Sequence, residues 1–94
     1  MFIEKQIRNI EETDSRIMTS GFVVNKEENN FILEDNSSQL KVIFDNTTTV
    51  INIGDYVRVF GNILQGEDIV LQAQIIQNLN NIDKKLHQKL LMRL

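Results

Sequence analysis

The chain has 94 residues, one domain's worth, with 41% hydrophobic and 24% charged residues, an ordinary globular balance that excludes wholesale disorder. It has no cysteine, which removes disulfides and thiolate zinc sites as supports for a core this small. The net charge of −3 is unevenly placed: residues 1–79 carry twelve acids against six bases, while residues 80–94 carry four bases against one acid. No apolar run approaches the roughly 18 residues that span a bilayer, and the acidic N-terminus MFIEKQIRNIEETD lacks the apolar centre of a signal peptide. The chain therefore reads as nuclear or cytoplasmic.

Residues 1–14 form a polar lead-in in which Phe2, Ile3, Ile7 and Ile10 are spaced like a short amphipathic turn or an extended arm. A first strand follows over Ile17–Asn25, where Gly21 predicts the bulge or sharp bend a small barrel needs to close. The turn Lys26-Glu27-Glu28-Asn29 leads to a second strand, Asn30–Glu34. The turn Glu34-Asp35-Asn36-Ser37-Ser38, rich in side chains that bond their own backbone, leads to a third, Gln39–Phe44. Leu40, Val42 and Phe44 alternate there with Lys41 and Ile43, the period-two signature of a half-buried strand.

The β-branched connection Asp45–Ile53 is too short and too poor in helix formers for a substantial helix. Gly54-Asp55 then turns the chain into a fourth strand, Tyr56–Ile63, with Val57 and Val59 pointing inward and Tyr56, Arg58 and Phe60 outward. After Gln65-Gly66-Glu67-Asp68 comes a fifth strand, Ile69–Ile76, in which Leu71, Ala73 and Ile75 alternate with Gln72 and Gln74. The expected interior is Val23, Leu33, Val42, Val57, Val59, Leu71 and Ala73.

The last element is a predicted amphipathic helix over about 82–94. Asn80 or Asn81 is placed to cap it, Asp83 suits the positive end of its dipole, and the late basic residues suit the other end. Ile82, Leu86, Leu90, Leu91 and Leu94 form its apolar stripe, opposite Lys84, Lys85, Gln88 and Arg93. Five short strands and one helix outline an all-β chain, a five-stranded OB-fold barrel with a C-terminal α-helix. The expected organisation is a lead-in over 1–14, the barrel over 15–78 and a partner-binding helix over 79–94.

From about residue 15 onward the chain resembles the small OB-fold subunits of replication protein A, the single-strand DNA-binding heterotrimer, and is similar to related subunits of telomere-capping and telomerase-associated complexes. The segments that carry the likeness are FILEDNSSQLKVIF, GDYVRVFGNI and IVLQAQIIQNLNNIDKKLHQKLLMRL, together with Gly21 in the first strand. The resemblance implies a heterotrimer subunit whose C-terminal helix joins helices of sister OB-fold subunits in a three-helix bundle. It also implies a nuclear protein of DNA replication, repair or telomere maintenance, or a cytoplasmic one if archaeal. Whether this chain corresponds to the smallest or the middle subunit stays open.

No catalytic constellation is visible, and no cofactor or metal is expected. His87, the single histidine, reads as a solvent or interface residue. The pairs Glu27/Glu28, Glu34/Asp35 and Glu67/Asp68 read as solvated turns, since nothing evident separates their acidities. Direct single-strand binding is the alternative function. An OB-fold lays a strand across its second and third strands, framed by the loops after strands one and four. Phe44 and Phe60 are the candidate stackers, and Lys41, Arg58 and Lys26 the candidate phosphate contacts. Against it, both framing loops are acidic, and Phe31 and Phe44 could equally be core. Single-stranded DNA is thus expected mainly through the complex, and no membrane is expected.

Overall fold

The computed structural model describes residues 2–45, 50–64 and 66–80. Its elements in chain order are β1 (Ile3–Glu4), one turn of 3-10 helix (Ile7–Asn9), β2 (Arg16–Lys26), β3 (Asn30–Glu34), β4 (Gln39–Ile43), β5 (Tyr56–Leu64) and β6 (Val70–Asn78). The last five are the five strands read from the sequence, with ends shifted by one or two residues. The predicted helix over 82–94, with Ile82, Leu86, Leu90, Leu91 and Leu94, lies outside the described residues, as does His87. Among the described residues no helix is long and apolar enough to cross a membrane, and the described part of the connection from Phe44 to Asp55 holds no helix.

Pairing closes the sheet on itself. Neighbours run β2-β3-β4-β6-β5, and β5 returns to pair with β2. Closure depends on β2 serving two partners: Arg16–Phe22 pair with β5, and Phe22–Lys26 pair with β3. The strand bends between these halves at Gly21. A Cβ there would fall on the backbone carbonyl of Glu34, so only glycine lets β3 approach this closely. The bulge itself sits slightly later, where the register with β3 slips between Val23 and Asn25. Gly61 is the counterpart on β5, its missing Cβ leaving room for the carbonyl of Gln72 on β6.

A second bulge decides which residues β6 buries. Phe60 pairs with Ile75 but Gly61 pairs with Ala73, so Gln74 is the extra residue. The slip reverses the inward phase past that point. Leu71 is fully buried and Ala73 packs against the core, whereas Ile76, and not Ile75, continues the inward row; Ile75 is 50% exposed. Strict alternation through Gln74 therefore misplaces Ile75.

The interior holds Val23, Leu33, Val42, Val57, Val59 and Leu71, as the apolar phases predict, joined by Ile17, Phe31, Leu40, Ile51 and Ile63. Residues 2–14 also contribute to it. β1 pairs in parallel with the start of β2, and Ile7 and Ile10 are buried in the core cluster. Two carboxylates fasten this segment. Asp35 Oδ2 accepts the backbone N–H of Ile7 at 2.7 Å, and Lys5 Nζ donates to both Asp14 oxygens at 2.9 Å. The Glu11 N–H also donates to Asp14, and together with Lys5 it holds that carboxyl below its ordinary pKa.

Tyr56 departs from the outward exposure expected of its strand phase. It lies beside Phe22 on β2, ring centroids 4.9 Å apart, and is 0% exposed. Burial pushes its phenol pKa up to about 12. Asn80 Oδ1 accepts the Tyr56 N–H at 2.8 Å, and Tyr56 O accepts the N–H of Leu79, so the chain leaves the barrel alongside this residue.

Candidate nucleic-acid interface

The face an OB-fold customarily offers to a single strand is the outer surface of β3 and β4. Register puts Asn30 opposite Ile43, Ile32 opposite Lys41 and Glu34 opposite Gln39. β6 continues these rows with Val70 beside Lys41 and Gln72 beside Ile43. No aromatic ring stands in those rows. Lys41 is their one cation, and Glu34 is their one anion, accepting a hydrogen bond from Gln39 Nε2 at 2.9 Å.

The framing turns deepen the mismatch with a polyanion. From the end of β2 the chain presents exposed Lys26, Glu27 and Glu28, and between β5 and β6 it presents exposed Glu67 and Asp68. Together with the strand rows, this surface sets two lysines against five carboxylates. Binding of a nucleic-acid backbone draws its affinity largely from cations that replace condensed counterions, and this face has few to offer.

The five candidate residues do not form one surface. Lys41 is exposed at the middle of β4, and Lys26 is exposed at the end of β2. Phe44 lies just past β4, where its N–H donates to Asn29 O; its ring packs 5.6 Å from buried Phe31 and against the core. The structure thus gives Phe44 a core role. Arg58 and Phe60 stand on the outer side of β5, whose neighbours are β2 and β6, so β6 lies between them and β4.

Around Phe60 the structure gathers residues that the sequence does not flag. Phe2 meets Phe60 edge-to-face with centroids 5.4 Å apart at 76°, and the Arg16 guanidinium carbon lies 5.9 Å from the Phe2 ring centroid. Only the parallel docking of β1 and the register pairing Met18 with Phe60 bring these residues together; no local pattern marks them.

Asp35 is engaged structurally: besides holding Ile7, its Oδ1 accepts the Ser37 N–H, the Ser38 N–H and the Ser37 hydroxyl at 2.6–3.3 Å. Among the described residues no group of His, Cys, Asp and Glu is placed to hold a metal ion. An open groove of about 640 Å³ lies between the 3-10 turn, the start of β4 and the turn before β6, with Arg8 and Lys41 mixed among Glu12, Glu67 and Asp68 on its rim.

Comparison with known proteins places this geometry. No family model matches the chain, and no curated protein matches it. Among solved structures it is similar to the telomere capping protein Ten1 from S. pombe, with a TM-score of 0.74 and 16% identity over 98% of this chain and 93% of that one. It is similar to a chain of the S. pombe Stn1-Ten1 complex, TM-score 0.67 and 23% identity over 84% of this chain and 69% of the other. A replication protein A heterotrimer bound to single-stranded DNA also matches, TM-score 0.65 and 19% identity over 81% of this chain and 66% of the other. The hypothetical protein ygiW from E. coli shares the architecture too, at 15% identity over 70% of this chain and 76% of the other, TM-score 0.63. At these identities the likeness establishes the OB-fold, in agreement with the barrel closure and with the resemblance read from the sequence.

Proposed function

We propose that this chain is a small, non-enzymatic OB-fold subunit of a nuclear single-stranded DNA-binding complex of the replication protein A or telomere-capping kind. In this reading it assembles with sister OB-fold subunits through its C-terminal segment, using Ile82, Leu86, Leu90, Leu91 and Leu94, which would form an amphipathic helix. A short helix is marginal alone in water and gains stability from a partner surface, which suits that stripe to a bundle. The observation that carries the reading is the match of this barrel to Ten1, which covers 98% of this chain and 93% of that one.

The alternative is a direct single-strand binder, and the outer face of β3 and β4 weighs against it. With two lysines facing five carboxylates and no ring in the rows, that face suits a subunit whose complex contributes most of the DNA affinity. Recovery of the tagged full chain from its own cells tests the proposal. Stoichiometric recovery of larger OB-fold subunits is expected; a lone chain that binds single strands tightly, with the steep salt dependence of phosphate contacts, contradicts it.

A further inference from the structure

We propose that the chain's own contact with a single strand lies on the outer face of β2, β5 and β6, centred on Phe2, Arg16, Arg58 and Phe60, and not on the customary β3–β4 face. The two faces differ in the chemistry a polyanion with π-stacking bases requires. On β2 and β5 the register sets Arg16 beside Asn62, Met18 beside Phe60 and Ser20 beside Arg58. β6 adds Gln72, Ile75 and Gln77 to the same rows. Glu4 of β1, in register with Met18 of β2, is the one carboxylate at the edge of these rows.

Two of the six bases in residues 1–79 therefore stand among neutral amides and two aromatic rings, in a body that is otherwise acidic. Among the described residues neither guanidinium is in an ion pair. Arg16 already lies over the Phe2 ring, leaving its other planar face for a base. Ile75, half exposed opposite Phe60, offers apolar surface beside the rings. Alternate residues on β5 are about 6.6 Å apart, close to the step between phosphates of an extended single strand. Arg58, Phe60 and Asn62 can thus follow successive nucleotides. With one platform and two arginines the contact is weak, as suits a subunit that adds to a larger complex's site.

The inference takes its ligand from the proposed function, but its test needs no partner subunit. Amide shifts of the isotopically labelled full-length chain are followed while a short oligothymidylate is added at low salt. Residues of β2, β5 and β6 around Met18, Phe60 and Ile75 are expected to move, with Ile32, Lys41 and Ile43 still. Arg16→Ala and Phe2→Ala should each weaken the titration fivefold or more, the low end of what one stacking contact contributes (about 1–3 kcal/mol), and Lys41→Ala should leave it within twofold. Shifts confined to β3 and β4 overturn the proposal. So does a face that ignores DNA and moves only on addition of a sister subunit, which would make it a protein-docking surface and leave the subunit reading intact.

Discussion

Asp35 Oδ2 accepts the backbone N–H of Ile7 at 2.7 Å across 28 residues of sequence, joining the start of the chain to the turn between β3 and β4. The bond holds Ile7 and Ile10 in the core, so residues 2–14 belong to the barrel's stability. Ile7→Ala is expected to cost about 2–5 kcal/mol, the usual range for truncating a buried isoleucine. Asp35→Ala should cost about 1–3 kcal/mol by leaving its donors without an acceptor. Urea unfolding of both variants checks this; unchanged midpoints would mean the segment merely rests on the barrel.

Closure at the two crowded glycines should be intolerant of even one methyl group. Gly21→Ala and Gly61→Ala each drive a Cβ into a backbone carbonyl of the neighbouring strand, which cannot rotate aside. A loss of about 3 kcal/mol is expected for each. Gly54 is different in kind. Nothing lies within 4 Å of a Cβ there, but its φ of 96° strains any L-residue, so Gly54→Ala should cost about 1–2 kcal/mol. Thermal melts of the three variants should show that order.

How far these relationships can be read from sequence depends on their range. The five strands follow from period-two alternation and the turns from their Asn, Asp, Ser and Gly residues, because both signals are local. Alternation fails at Gln74, where a bulge forced by cross-strand register turns Ile75 outward and Ile76 inward. It also fails at Tyr56, whose outward phase is right but whose exposure is not, since Phe22 and the chain near Asn80 lie beside it. The candidate binding residues fared unevenly for the same reason. Lys41, Arg58 and Phe60 face outward as their phases require, but the strand order β2-β3-β4-β6-β5 puts β6 between Lys41 and the other two.

Tyr56 makes the alkaline limb of stability readable. Its folded pKa is raised to about 12, while an unfolded tyrosine ionises near 10. Below pH 10 both states keep the proton and the stabilisation is complete. Between about 10 and 12 only the unfolded chain loses it, so stability falls across that window. The chain has one tyrosine and no tryptophan, so phenolate absorbance follows this residue alone. A midpoint near 12 is expected; one near 10 would mean the ring is solvated.

Phe44 should behave as a core residue. Phe44→Ala removes the ring packed on Phe31 and is expected to lower stability by about 3 kcal/mol, the low end for a phenylalanine because the ring is only partly buried. At temperatures where the variant remains folded, oligonucleotide binding should match the unsubstituted chain. A selective loss of binding without loss of stability would return Phe44 to the stacking face.

Assembly through the C-terminal segment is the central claim, and replacing Leu86 and Leu90 together by Asp tests it most directly. Two carboxylates placed in an apolar interface without counter-ions are costly to bury. In a pull-down with sister subunits, backed by circular dichroism, the doubly substituted chain is expected to keep its β-sheet spectrum and lose its partners. A variant that retains both spectrum and partners would contradict the account, because assembly would then proceed without the leucine stripe.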